Sequence, residues 1–171
     1  MTDPGFARGQ TLGVSENDQG TSITGTPKTF TDVDPRTTNS GVFYSNRAVS
    51  CVAVRNLSGS ALLPGTVVEF AATAILDAVD GASADGTGLI GVVDEYLPAT
   101  GCAAKDVCWV VVSGPTAITT AGSFSAGDAL AVADGAAAAS VGDDVVGYAI
   151  SPESGGQVRA LVGTVSEHSA A

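Results

Sequence analysis

The sequence is poor in positive charge. Seven Lys and Arg stand against 18 Asp and Glu in 171 residues, which gives a formal net charge of −11. Residues 1–49 hold five acids and four bases, whereas residues 50–171 hold thirteen acids and three bases. A domain this acidic repels phosphate backbones, so we expect no nucleic acid among its partners. The acidity either keeps copies apart in solution or selects a partner electrostatically.

Residues that build metal and catalytic sites are also scarce. The single histidine, His168, lies near the C-terminus, and three aspartates within residues 77–85 lack the spacing of a calcium loop. No GxSxG motif or nearby base activates a nucleophile. We therefore expect no metal, no cofactor and no catalytic residue. The three cysteines have no CxxC spacing and are predicted to be structural thiols: Cys51, Cys102 and Cys108. The last two could bridge across a loop, but the expected compartment is reducing.

Long apolar runs are absent. No window reaches about 18 apolar residues, so no membrane span is predicted. The first ten residues lack an apolar signal region, and we expect the protein to act where it is made or in a particle assembled there. The 22 glycines and 7 prolines indicate frequent turns rather than long helices.

Residues 50–165 contain short apolar runs with turn residues every 8–12 positions, a pattern typical of an all-β fold. The predicted structural centre of this region is the segment 88–115, which includes the only tryptophan, Trp109. The run over residues 107–113 is apolar on both faces, so it predicts a central strand with Trp109 buried, a break at Gly114-Pro115 and a continuation over 116–120. The prediction is a small antiparallel β-barrel or sandwich over residues 50–165, preceded by a long extended arm and followed by a tail over 166–171. Further strands are predicted at 51–56, 66–71, 89–97, 129–132, 145–150 and 158–165, with a strand or an extended loop over 136–141 and a loop over 79–87.

Residues 1–49 show isolated hydrophobic residues without a period of 2 or 3.6. Alone, such a segment cannot offset an ordering cost of roughly 1–2 kcal/mol per residue. It is therefore either a disordered tail or an arm that a neighbouring molecule orders. Fully extended, it could reach about 160 Å, far enough to cross onto adjacent subunits.

Residues 50–163 resemble the small β-domain of capsid decoration (cement) proteins of tailed bacteriophages. The resemblance lies in the order of six segments along the chain. These segments are GTVV (65–68), GLIGVVDEYLP (88–98), DVCWVVVSGPT (106–116), GDAL (127–130), VGDDVVGYAI (141–150) and VRALVG (158–163).

The resemblance implies a non-enzymatic structural protein that is made in the host cytoplasm and lies on the outer surface of the virion capsid. Its partners would be the major capsid protein and other copies of itself, most often in trimers and sometimes in dimers. The arm would spread over neighbouring capsid subunits, with bases meeting carboxylates and aromatic rings filling apolar pockets. The predicted capsid-binding residues are Phe6, Arg8, Lys28, Phe30, Arg36, Phe43, Tyr44 and Arg47.

Two other functions are open at this point. One is a receptor- or glycan-binding module of a head fibre or tail, which would present exposed aromatic rings. The other is an enzyme, because residues 91–96 resemble a strand motif of trimeric dUTP pyrophosphatases. The arginine and glycine-rich motifs needed to hold a triphosphate are absent, which disfavours this second alternative.

Overall fold

A computed structural model of the chain describes residues 7–12, 23–33, 43–72, 77–83, 89–133, 135–139 and 145–163; the side chains of 43–46 and 137–139 are not described. The described part is all-β, which confirms the predicted fold class. The ten strands are β1 (Pro27–Val33), β2 (Phe43–Asn56), β3 (Val67–Phe70), β4 (Ala78–Ala82), β5 (Ile90–Val93), β6 (Val107–Thr119), β7 (Ala129–Ala133), β8 (Ala136–Ala139), β9 (Val145–Ala149) and β10 (Gln157–Val162).

The strands form one mixed sheet in the order β1-β2-β4-β3-β5-β6-β10-β9-β7-β8, and β2 also pairs with β6. That additional pairing closes β2, β4, β3, β5 and β6 into a ring. Outside the ring, β1 pairs with β2, and β10, β9, β7 and β8 extend from the second half of β6 as an open sheet. The β2–β4 pair is parallel, which differs from the antiparallel arrangement that the sequence predicts.

The two long strands β2 and β6 are apolar on both faces because each face packs into a different hydrophobic cluster. On β6, Val107, Trp109 and Val111 pack between the ring and the open sheet. Cys108 and Val110 alternate with them and point into the ring, where they belong to a separate cluster that we name the ring cluster. Trp109 is fully buried, as predicted, and β6 has β2, β5 and β10 as neighbours. The continuous apolar run therefore marks a strand shared by two cores.

β6 does not end at Gly114-Pro115, where the sequence predicts a break. Pro115 lies beyond Ser113, the last β6 residue that pairs with β2, so that side of the strand needs no amide donor there. Gly114 has φ of 110°, and a Cβ atom on it would lie 2.5 Å from the Ala48 carbonyl oxygen. Only glycine allows β2 and β6 to approach this closely at this backbone conformation.

Strand β4 occupies residues 78–82 and so overlaps the first part of the predicted loop over residues 79–87. Val79 is fully buried in the ring cluster, and the strand pairs with both β2 and β3. The segment is short and contains an Asp-Gly pair, so local periodicity does not predict a strand there. The strand forms because it pairs with β2 and β3.

The predicted boundary between residues 49 and 50 falls inside β2. Val49, Cys51 and Ala53 are alternating positions of this one strand, and all three are buried in the same cluster. Residues 1–49 therefore include β1 and the first part of β2, both of which belong to the sheet.

Segments before β1 also pack on the domain. The Leu12 amide donates to the Val107 carbonyl at 3.0 Å, and the Gly25 amide donates to the Ala53 carbonyl at 2.8 Å. The side chains of Leu12 and Ile23 pack against the cluster that contains Trp109. The described N-terminal residues thus cover the cluster that contains Trp109, which we name the second core, instead of extending away from it.

No helix within the described residues has the length and apolar character to cross a membrane.

Candidate functional site

A buried cluster of five charged side chains joins four distant parts of the chain; we name Arg8, Asp32, Asp94, Glu95 and Arg159 the charged cluster. The Arg8 Nε donates to Asp94 Oδ1 at 2.9 Å, and its Nη2 donates to Glu95 Oε1 at 3.4 Å. The neighbouring Gly9 amide donates to Asp94 Oδ2 at 2.5 Å. Segment 7–12 is therefore attached to the turn after β5 through both side chain and backbone.

Arg159 of β10 completes the charged cluster from the other side. Its Nη1 donates to the two Glu95 carboxylate oxygens at 3.3 and 3.0 Å, and its Nη2 donates to Asp32 Oδ1 of β1. The most exposed member is Arg159, with 16% of its side chain accessible. Because Glu95 accepts hydrogen bonds from both guanidinium groups, it links the N-terminal segment to the open sheet.

Two guanidinium groups and three carboxyl groups leave the charged cluster with one negative charge in excess when all are ionised. The pKa of Glu95 is raised chiefly by burial, which Arg159 and Arg8 oppose and which Asp94 and Asp32 reinforce. Protonation of Glu95 would make the cluster formally neutral. Burial also acts to lower the pKa of Arg8, but the charges of Asp94, Cys51 and Glu95 outweigh it, so its pKa lies above the ordinary value.

An aromatic ring supports the same contact. The Arg8 guanidinium carbon lies 4.5 Å from the centroid of the Tyr96 ring, within the range of a cation–π interaction. Burial raises the pKa of Tyr96, which keeps its phenol neutral beside the carboxylates. The charged cluster and this ring bind one another, so their geometry fits a clamp that sets the register of the N-terminal segment on the domain.

Three of the predicted capsid-binding residues make contacts inside the chain. Arg8 is 3% exposed within the charged cluster. Phe30 packs edge-on against Trp109, with ring centroids 5.2 Å apart. Lys28 is half-buried, and its ammonium lies 5.4 Å from the Phe30 ring centroid. These side chains stabilise the fold of their own chain.

Arg47 is the predicted contact residue that the structure places at the surface, where it is exposed on β2. Phe43 and Tyr44 begin β2, but their side chains lie outside the described residues. Phe6 and Arg36 also lie outside the described residues. The four predicted residues whose side chains the structure describes, Arg8, Lys28, Phe30 and Arg47, therefore do not form one exposed surface.

An apolar surface occurs instead on the open sheet; we name Tyr148, Ile150 and Leu161 the outer face. Tyr148 is 44% exposed and Ile150 is 46% exposed, whereas Ala149 between them is buried. Leu161 of β10 is directly opposite Tyr148 of β9. The Ile150 amide donates to the Arg159 carbonyl at 2.8 Å, so the outer face borders the charged cluster.

A cavity of ≈ 170 Å³ lies where β5, β6, β9 and β10 meet. Its lining is aliphatic or glycine throughout, so it offers no side chain for acid–base chemistry or metal binding. Within the described ranges, no three His, Cys, Asp or Glu side chains gather into a group that could hold a metal ion. Asp80 is exposed, Asp77 is half-buried, and Asp85 and His168 lie outside those ranges.

Sequence reasoning missed the charged cluster except for Arg8. A weak signal was present, because Asp94-Glu95 directly follows an apolar strand and Arg159 interrupts another. Charged residues at such positions are rarely buried unless they are paired. The pairing itself was not visible, since the partners come from segments up to 127 residues apart.

No protein-family model and no curated protein matches the sequence. Among solved structures, the head fiber gp8.5 N base of bacteriophage phi29 is similar over 66% of this chain and 93% of that chain, with a TM-score of 0.48 and 16% sequence identity. A likeness of this size does not establish a shared function.

Proposed function

We propose that the protein is a structural component of a tailed-bacteriophage head. It binds the outer surface of the capsid as a decoration protein and stabilises contacts between major capsid protein subunits, without catalysis. The order of apolar segments over residues 50–163 supports this proposal through its resemblance to that family. The observation that carries it is the outer face, where Tyr148 and Ile150, two of the five large exposed hydrophobic side chains among the described residues, lie together on an acidic domain.

The outer face has the properties of a protein-binding patch. Tyrosine and large aliphatic side chains dominate the energetics of protein interfaces when they are enclosed at the centre of the contact. Tyr148 of β9 pairs with Leu161 of β10, and Ile150 follows directly after β9, so the three side chains occupy neighbouring positions of the open sheet.

The N-terminal region has a narrower part in this proposal than the sequence suggests. Arg8 and Phe30 are engaged inside the chain, so the capsid contact moves to the outer face, with Arg47 as an exposed cation near the start of the sheet. Capsid contacts by Phe6, Arg36, Phe43 and Tyr44 stay predictions. Repetition of one contact over the shell allows each copy to bind weakly and still stabilise the particle.

Binding to heads tests the proposal. Heads of the virus that encodes this chain, prepared without the protein, are mixed with purified protein and sedimented. We expect saturable binding, and at least a 10-fold loss of affinity for Tyr148→Asp and for Ile150→Asp, since a central anchor contributes about 2 kcal/mol or more. Leu57→Asp is the matched control, because Leu57 is exposed to a similar extent, 49%, but lies beside β4.

The outcomes separate function from site. If the wild-type protein does not sediment with the heads, the proposed function is wrong. If wild type, Tyr148→Asp and Ile150→Asp bind equally well, the function stands and the outer face is not the contact.

A receptor- or glycan-binding module of a head fibre or tail is the second candidate. Trp109 is fully buried and offers no ring for a sugar, but Tyr148 is an exposed aromatic ring of the type on which sugars stack. Titration with host surface polysaccharide distinguishes the two candidates. If the protein is a decoration protein, the polysaccharide binds neither the wild type nor Tyr148→Ala. If it is a glycan-binding module, the polysaccharide binds the wild type and binds Tyr148→Ala less tightly.

A further inference from the structure

Two of the three cysteines meet inside the ring. Cys102 and Cys108 are both fully buried and belong to the ring cluster, whereas Cys51 belongs to the cluster between the ring and the open sheet. All three are free thiols. Both side chains are enclosed in the same cluster, and the Cys102 side chain is the first cause of the raised pKa of Cys108, so the two thiols lie near each other. We name these two residues the thiol pair.

The backbone holds the thiol pair on the two sides of a tight turn. The Asp106 amide donates to the Ala103 carbonyl at 3.1 Å, and Lys105 has φ of 69°. Both ends of the turn are anchored to β2: the Asn56 side-chain amide donates to the Cys102 carbonyl at 2.9 Å, and Cys108 pairs with Val54. The two cysteine backbones are therefore both held against β2, at positions two residues apart, Val54 and Asn56.

We propose that Cys102 and Cys108 form a reversible disulfide when the protein meets a disulfide oxidant such as oxidised glutathione. One cysteine thiolate attacks oxidised glutathione, which gives a mixed disulfide and releases one glutathione thiolate. The second cysteine thiolate then attacks the protein sulfur of the mixed disulfide and releases the second glutathione. The two cysteines lose two protons and two electrons, and two molecules of reduced glutathione gain them.

The same geometry sets the rate of this reaction. The pKa of Cys108 is raised well above its ordinary value, first by the Cys102 side chain and then by burial, so little thiolate is present in the folded state. Only the thiolate attacks a disulfide. The bond therefore forms slowly in the folded protein and readily during folding, before the turn is enclosed.

The expected consequence is a covalent tie across the turn. In a reducing cytoplasm the thiol pair stays reduced, and after release into an oxidising medium it closes the loop over residues 102–108 at the start of β6. For a loop this short the entropic model gives a modest stabilisation, which we expect to raise Tm by roughly 4–8 °C.

Peptide mapping tests the proposal because trypsin separates all three cysteines. Lys105 lies between Cys102 and Cys108, and Arg55 separates both from Cys51. The full-length protein is refolded in reduced and oxidised glutathione, its remaining thiols are alkylated, and it is digested without reductant. We expect a linked pair of peptides, 56–105 with 106–159, that dithiothreitol separates, together with a peptide 48–55 carrying alkylated Cys51.

Two results would overturn the proposal. One is full alkylation of Cys102 and Cys108 after oxidative refolding, and the other is a linkage that involves Cys51. The variant Cys51→Ser should lose 2 Da on oxidation as the wild type does, whereas Cys102→Ser should not. The mapping of the wild-type chain gives the answer even where a cysteine variant fails to fold.

Discussion

At the scale of single residues, the charged cluster is the feature that ties the chain together. Each carboxylate in it accepts a hydrogen bond from a guanidinium group, and the side chains of Asp32 and Asp94 are fully buried. Buried ion pairs add little net stability, but the removal of one partner leaves an uncompensated charge in a site of low polarity. Such pairs mainly determine which arrangement of the chain is adopted.

Substitution of Arg8 should therefore destabilise the fold strongly. In Arg8→Ala, Asp94 loses its guanidinium partner and keeps amide donors, such as the Gly9 N–H. We expect the free energy of unfolding in urea to fall by about 3 kcal/mol. Arg47→Ala, at an exposed position, should cost less than about 1 kcal/mol. Equal losses in the two variants would show that the cluster does not hold the segment.

Glu95 should give the protein a pH dependence opposite to that of an ordinary paired carboxylate. Its pKa is raised above 4.5 in the folded state, so the folded protein holds the Glu95 proton more tightly than the unfolded chain does. The contribution of Glu95 to stability is then fully present below pH 4.5 and decreases as pH rises through the folded-state pKa.

The Tm difference between wild type and Glu95→Gln, measured from pH 4 upward, isolates this contribution, because glutamine does not titrate. We expect the wild type to lose stability relative to the variant as pH increases. A difference that grows in favour of the wild type with increasing pH would mean that attraction to Arg8 and Arg159 outweighs burial.

At the scale of elements, β1 acts as a cover for the second core. Its inward residues Lys28, Phe30 and Asp32 alternate with exposed Pro27, Thr29 and Thr31. Phe30 contacts Trp109, and Asp32 binds Arg159 of the open sheet. One strand therefore combines an apolar contact with a charged one, on the same face.

Truncation of Phe30 tests this role. We expect Phe30→Ala to cost about 2 kcal/mol, less than a fully buried phenylalanine, because Phe30 is only half-buried. We expect acrylamide to quench Trp109 fluorescence in this variant and not in the wild type, where Trp109 is fully buried. Thr29→Ala, on the exposed face of β1, should change neither property. A variant in which Trp109 stays protected would show that other residues cover the core.

The elements with continuous apolar runs were predictable, and those made by long-range pairing were not. Residues 107–113 predict β6 and the burial of Trp109 because a strand between two cores must be apolar on both faces. β1 and β4 were missed, since their sequences mix polar residues with few apolar ones and their pairing partners are distant. Of the charged cluster only Arg8 was singled out, and as a residue for a partner, because no local pattern shows which buried carboxylate an arginine meets.

At the scale of the whole molecule, the N-terminal region and the domain form one structural unit over the described residues. Removal of residues 1–45 would delete β1 and also Arg8 and Asp32 of the charged cluster. Such a truncation would weaken the fold as well as any capsid contact, so surface substitutions on the outer face are the cleaner probe of binding.

The proposed role of this chain is to bind the outer surface of a phage head through the outer face. Electron cryomicroscopy of heads with and without the protein tests it most directly. We predict added density outside the shell at a repeated position, into which the all-β domain fits with Tyr148 and Ile150 toward the major capsid protein. Reconstructions that are identical with and without the protein would contradict the account.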